Sequence, residues 1–267
     1  MFTAITVAAA LSFAPAQQET LQLSNVRITV GELGPTRKET KFLPGDLLFI
    51  AYDIDGLTID PDGTAKYTMA MEVADGAGKL IFKQDPKEQF VFVPLRGGKL
   101  PGRTFITIGL DQPAGTYSCK TTVTDPKTKS TNSVSIKFEV LKPEFGIVGV
   151  RTSYDEAGGL SAPALGVVGQ TIFVHFSIAT FMRDEKTKQP NVELLFEAFD
   201  EKGAPTLGKP VKYIQDTGVK QEHGLFAMFF PLYMNRPGKF SVRVTATDKV
   251  SNKKATYDLP VTVLPVN

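Results

Sequence analysis

The chain has no tryptophan, one cysteine and two histidines among its 267 residues. A lone thiol, Cys119, cannot close an intrachain disulfide, so an apolar core must hold the fold. With His175 in "TIFVHFSI" and His223 in "KQEHGL" as the only imidazoles, no Cys/His metal spacing can be built, and neither HExxH nor GxSxG occurs. Charge of one sign is lacking too. Thirty Lys and Arg stand against 28 Asp and Glu, a formal +2 with both signs dispersed, so no field gathers nucleic acid. Past the N-terminus no segment approaches the roughly 18 uninterrupted apolar residues of a membrane span, so no transmembrane segment is expected. What remains is an ordinary globular composition, 42% hydrophobic and 22% charged, sized for one large domain or two typical ones.

The N-terminus, "MFTAITVAAALSFAPAQ", carries an apolar run from Ile5 to Ala14 and then the small-x-small pattern Ala14-Pro15-Ala16. This predicts a signal peptide over residues 1–16 with cleavage before Gln17, although no Lys or Arg precedes the run. No cysteine follows it to take a lipid. The expected product is exported, periplasmic or extracellular.

Comparing the halves shows an internal repeat. "AGTYSCKTTVTDPKTKSTNSVSIKFEVL" lies on "PGKFSVRVTATDKVSNKKATYDLPVTVL" without a gap, setting Gly115 on Gly238, Tyr117 on Phe240, Asp125 on Asp248 and Leu141 on Leu264. Upstream, "PGDLLFIAYDIDGL" lies on "VGQTIFVHFSIATF", and "KYTMAMEVADGAGKLIF" on "NVELLFEAFDEKGAPTL". Three blocks in one order at nearly one offset indicate duplication.

Both copies alternate with the two-residue period of half-buried strands. Tyr117, Cys119, Thr121 and Val123 share a face, as do Phe240, Val242, Val244 and Ala246. A following strand repeats the alternation with Val134, Ile136, Phe138 and Val140, then with Tyr257, Leu259, Val261 and Val263. "ADGAGK" and "DEKG" supply turns, because Asp bonds local backbone and Gly adopts positive φ without steric cost. With no long helical period, the expectation is all-β: two tandem immunoglobulin-like β-sandwich domains over 17–142 and 143–267. The short "LKPEF" between them should hold a semi-rigid tandem.

The ends of the two units, "AGTYSCKTTVTD" and "NRPGKFSVRVTATD", resemble bacterial immunoglobulin-like or fibronectin-III-like sandwich domains. The two-domain layout is similar to exported bacterial proteins of unknown function. The disulfide and buried Trp of antibody-type domains are both missing, and Pro113 stands where those domains usually place an Asp. The resemblance implies a fold and no particular activity, since this sandwich hosts many roles.

Candidate chemistry is sparse. His175 reads as strand-packed or surface and His223 as an exposed loop residue. Cys119 is matched by Val242 in the second copy, which marks a small apolar slot and an inert thiol. "GAPTLGKP" satisfies G-x-x-x-x-G-K, yet Pro210 replaces the Ser or Thr that would hold magnesium, so it reads as a loop. Asp53, Asp55, Asp60 and Asp62 in "YDIDGLTIDPDG" are hard oxygen ligands within a dozen residues and form the one candidate calcium site, though without EF-hand spacing. "LFAMFFPLYMN" is apolar on both faces; it predicts a strand buried on both sides, a strand with one face packed on the neighbouring domain, or an exposed Phe229 and Tyr233 surface for a partner.

No convergent acid, base and nucleophile set is visible. The expected function is therefore a non-enzymatic exported interaction or structural module of the cell envelope. It would recognise an envelope protein or glycan through sandwich loops and edges, without a cofactor unless calcium binds. The alternative is a carbohydrate-binding protein or the accessory domain pair of an envelope enzyme system, with Tyr52, Tyr154, Tyr213 and Tyr233 as stacking platforms.

Overall fold

The computed structural model describes residues 20–266; the expected signal peptide lies outside them. Every regular element among the described residues is a strand. The first half runs β1 (Gln22–Thr29), β2 (Lys41–Phe42), β3 (Leu47–Asp55), β4 (Thr64–Asp75), β5 (Leu80–Phe92), β6 (Lys99–Thr107), β7 (Gly115–Thr124) and β8 (Thr131–Val140). The second half repeats it as β9 (Gly146–Ser153), β10 (Leu165–Val167), β11 (Thr171–Ala179), β12 (Val192–Asp200), β13 (Val211–Gln215), β14 (Leu225–Tyr233), β15 (Gly238–Asp248) and β16 (Lys254–Leu264).

Each half is a sandwich of a three-stranded and a five-stranded sheet. The first pairs β1-β3-β6 with β2-β8-β7-β4-β5, and the second pairs β9-β11-β14 with β10-β16-β15-β12-β13. The order is the same, and so is the crossing of the leading segment, since β2 joins β8 in parallel as β10 joins β16. The alternating side chains of β7 and β15 point inward as their period requires. Tyr117, Cys119, Thr121 and Val123 are buried in one core, and Val242, Val244 and Ala246 in the other. Tyr117 adds a polar fastening: its hydroxyl donates to the Pro113 carbonyl at 2.7 Å and accepts from Gln112 Nε2 at 2.9 Å. This is the corner tyrosine of sandwich folds, and Phe240 cannot reproduce it.

The strongest sign of duplication is a pair of buried carboxylates. Asp125, just past the end of β7, accepts from the backbone N–H groups of Thr58 at 3.0 Å and Lys127 at 2.8 Å. Asp248, at the end of β15, does the same with Met182 at 2.9 Å and Val250 at 3.0 Å. Each ties its own hairpin turn to the loop after the strand behind it. Burial alone would push the Asp125 carboxyl up, but the donors of Thr58 and the N–H groups of Lys127 and Thr128 outweigh it and hold the group below the usual carboxylate range. The turns at Asp75 and Asp200 match as well, each Oδ1 accepting two backbone N–H groups further along the turn.

Duplication also reaches a segment whose sequence kinship is slight. In β1 the register against β3 slips between Ser24 and Arg27, with Asn25 at φ 51°. In β9 it slips against β11 between Val148 and Arg151, with Gly149 at φ 63°. Both are bulges in which one residue takes the left-handed region that Gly, and next Asn, tolerates best.

The bulge in β9 is where the two halves meet. It turns the Gly149 N–H toward the first sandwich, where buried Asp46 Oδ1 accepts it at 2.8 Å and also takes the N–H of Leu47 at 2.8 Å. Asp46 Oδ2 accepts from Arg37 Nη1 at 2.9 Å, and the same guanidinium covers the Phe42 ring at 4.1 Å. Gln170 occupies the matching place in the second copy, where its side-chain oxygen accepts from the nearby Val167 N. Around this bond, Val30 enters the second core, Ser161 donates to Glu32 at 2.6 Å, and Gly31 lies so close that a Cβ there would come within 2.8 Å of Arg151 Cβ.

Replacing Asp46 by Ala leaves a buried N–H at Gly149 and an unpaired Arg37. We expect Asp46→Ala to cost about 2–3 kcal/mol in urea unfolding and to speed cleavage after Glu144 by a glutamate-specific protease, with Asp46→Asn intermediate. Wild-type stability and cleavage rate in the alanine variant would remove the bond from this role.

Candidate functional site

The edges of the second sandwich carry its apolar surface. β14 ends the three-stranded sheet and β13 ends the five-stranded one, so the flank between them has no strand to cover it. Along β14, Phe226, Met228, Phe230 and Leu232 turn toward the core, while Phe229 and Tyr233 face outward at 44% and 60% exposure. The segment is thus an edge strand whose outer face is solvated at Phe229 and Tyr233, so two-sided burial does not hold; packing on the neighbouring sandwich is seen at its start, where Leu225 lies 3.4 Å from the place of a Cβ on Gly45. Phe229 is braced edge-on by Phe173 at 5.9 Å between centroids and lies 5.7 Å from the His175 ring. Between the edges runs a groove of about 670 Å³, lined by Phe196, Leu207, Val211, Tyr213, Met228 and Phe230. The first sandwich has its counterpart between β5 and β6, a groove of about 920 Å³ with Met69, Ile81, Phe82, Phe105, Ile106 and Tyr117 in its walls. A third cavity, about 1010 Å³, lies at the joint between the halves and includes Arg37, Asp46 and Tyr257. Burial pushes the Tyr257 phenol up to about 12, so it faces this cavity as a neutral hydroxyl.

The four aspartates of the calcium expectation are spread apart in role. Asp53 and Asp55 sit on β3, where Asp53 accepts from Asn25 Nδ2 at 3.2 Å and Asp55 from Ser24 Oγ at 2.7 Å. Asp60 is paired with Lys127, and Asp62 accepts from the Thr64 hydroxyl at 2.7 Å and its N–H at 2.9 Å. Those bonds from Thr64 hold the Asp62 carboxyl below its usual range. Among the described residues no group of three or more His, Cys, Asp or Glu is placed to hold a metal ion.

Other expectations divide. Tyr52 is 1% exposed, with its hydroxyl against Met69 Sδ at 3.1 Å, so it is core and no stacking platform. The reason is its inward parity on central strand β3, the slot that Phe176 fills in the second copy. Tyr154, Tyr213 and Tyr233 are exposed. Residues 203–210, the phosphate-loop near-match, connect β12 to β13, and no helix follows. Burial pushes the Cys119 thiol up to about 12, leaving almost no thiolate at neutral pH.

His175 proves to be the more structured of the two histidines, and its partner was not foreseen. Its Nε2 lies 2.7 Å from Ser153 Oγ, and that hydroxyl lies 2.5 Å from the Asp155 carbonyl. A carbonyl only accepts, so the serine proton goes to Asp155 and Nε2 must be the protonated nitrogen that donates to Oγ. In this tautomer the imidazole cannot take the serine proton. The buried pair instead ties the loop of residues 154–160 onto the sheet. Burial, assisted by the Arg151 charge, holds the His175 pKa below its usual value.

No protein-family profile matches the chain, and no curated protein matches it. Among solved structures, red sea bream transglutaminase aligns at 12% identity and a TM-score of 0.28, over 92% of this chain and 31% of that one. The alkylpurine DNA glycosylase AlkC of Pseudomonas fluorescens, bound to DNA containing an abasic site analogue, aligns at 13% identity and a TM-score of 0.29, over 45% of this chain and 31% of that one. The chain spans about a third of the length of each.

Two outcomes are expected. Cys119 should resist a neutral-pH alkylating reagent in the native protein and react fully in denaturant; fast native alkylation would show that the first core opens readily. Calcium titration should give no saturable heat, and chelator should leave the melting temperature unchanged, because Lys127 and Thr64 already engage the loop carboxylates. A saturable calcium isotherm would reverse that assignment.

Proposed function

We propose that this chain is a non-enzymatic interaction or structural module of the cell envelope, an exported tandem of bacterial immunoglobulin-like or fibronectin-III-like sandwiches. The observation that carries the reading is the open flank of the second sandwich, where exposed Phe229 and Tyr233 on β14 border an apolar groove. Exposed aromatic side chains beside an uncovered groove are typical recognition anchors. A firm joint supports the reading, since a spacer must present its surface at a fixed distance and angle. The partner is an envelope protein bound through the side chains of this edge.

The test is affinity capture from envelope extract with the mature protein, comparing wild type with a Phe229→Ser plus Tyr233→Ser double variant. Both rings are outward, so the variant should keep its circular dichroism and melting temperature. A specifically retained protein should bind it at least about tenfold more weakly. Equal retention by both proteins would remove this surface from recognition.

A second reading, carbohydrate binding, is favoured by the three exposed tyrosines, Tyr154, Tyr213 and Tyr233. It requires a saturable signal on a glycan array that Tyr213→Ala or Tyr233→Ala diminishes, and an array without signal rejects it.

A further inference from the structure

One row across the outer face of β9, β11 and β14 reads Arg151, His175, Phe229. The same row of the first copy reads Arg27, Ala51, Arg103. Arg27 is partly exposed and donates to the Asn25 carbonyl at 2.8 Å. Its counterpart Arg151 is partly exposed as well but has no such bond. The backbone of Gly31 from the first sandwich crosses over its Cβ, and the 154–160 loop covers its far end. A Cβ built on Gly158 would lie 3.0 Å from Arg151 Nη2 and 3.3 Å from His175 Cε1, so guanidinium and imidazole share one niche under that loop.

Among the described residues Arg151 is partly buried with no ion pair and no side-chain hydrogen bond. The carboxylates of the covering loop and of the crossing segment keep their charge but direct their oxygens to other donors. Asp155 accepts from the N–H groups of Gly159 at 3.2 Å and Leu160 at 3.0 Å, and Glu32 Oε2 accepts from Ser161 at 2.6 Å. A second guanidinium reaches the same crossing from the first sandwich, Arg103 Nε donating to the Glu32 carbonyl at 3.2 Å.

A partly buried guanidinium with no acid bonded to it keeps a planar fork of donors matched to two oxygens of one anion. We propose that Arg151, with His175 beside it and Arg103 on the other side of the Gly31–Glu32 crossing, forms an oxyanion-binding niche at the joint of the two sandwiches. It takes the carboxylate, sulfate or phosphate group of a ligand or partner. Phe229 ends the same row, so the preferred ligand sets an apolar or ring-shaped group next to its oxyanion. Apart from Phe229, the niche rests on observations separate from those behind the envelope-module reading, and the anion titration tests it on its own.

The chain has two histidines, which gives the experiment a reporter and an internal control. His175 faces Arg151 from β9, Asp155 from the covering loop and Phe229 from β14, while His223 sits in an exposed turn before β14. Imidazole resonances of the mature protein are followed during titration with sulfate, phosphate and glucuronate, with sodium chloride matching the ionic strength. An anion in the niche offsets the Arg151 charge, so at least one oxyanion should shift the His175 resonances saturably and raise its pKa, with His223 unchanged. Whether the tetrahedral anions or glucuronate bind tighter identifies the class of group accepted. Arg151→Met should weaken binding at least about tenfold, and Arg151→Lys, which keeps charge and loses the fork, should fall between. If Arg151→Met unfolds, Arg103→Met provides the same comparison. No saturable His175 response to any of the three anions, or a response that persists unchanged in a folded variant, overturns the proposal.

Discussion

The tandem depends on one hydrogen bond, from the Gly149 N–H to the Asp46 carboxylate. It needs a bulge with positive φ at Gly149, so that the amide leaves the ladder of its own sheet. It also needs a carboxylate that the first sandwich has withdrawn from water and balanced with Arg37. A buried acid without that guanidinium would be costly, and a buried amide without the acid would be unsatisfied. Each half therefore completes a polar group of the other. Once this bond fixes the approach of the halves, Val30 can enter the second core and Gly31 can press on Arg151. The cavity that holds Tyr257 and the niche around Arg151 are both products of that approach.

Duplication explains why the two halves fold alike and where they diverge. The hub carboxylates Asp125 and Asp248 and the turn carboxylates Asp75 and Asp200 satisfy backbone donors in the same way in both copies. Positions that face only their own core have drifted within apolar limits, as with Cys119 and Val242 or Tyr52 and Phe176. Positions at the joint have separated in chemistry. Asp46 became a bridge where Gln170 is a local cap, and Arg151 lies under the crossing Gly31 where Arg27 bonds its own strand.

Strand parity, the hairpin that ends each half and the all-β class were legible in the sequence, because a two-residue period and Gly/Asp turns act locally. The repeat exposed the slot role of Cys119 before any coordinates did. The outward parity of Phe229 and Tyr233 could be read, but whether that face was covered could not, since it depends on β14 being an edge. Tyr52 misled because a tyrosine on a central strand looks like one on a rim until its neighbours are known. The joint was invisible for the same reason: Asp46 and Gly149 are far apart in the chain, and nothing around either marks the other. The pairing of Ser153 with His175 left only one trace, an imidazole where the first copy has Ala51.

The open flanks raise a hazard that the backbone itself limits. An uncovered strand invites another molecule to zip onto it, and β5 is thirteen residues long and largely exposed. Its register against β4 breaks between Lys87 and Gln84, where Pro86 stands without an N–H to offer. β14 carries Pro231 in the same sense, two residues before its end. A prolonged main-chain ladder is thereby interrupted on each flank, which discourages edge-to-edge polymers. The grooves can stay uncovered without offering a long unbroken ladder, and contact at these edges is left largely to side chains.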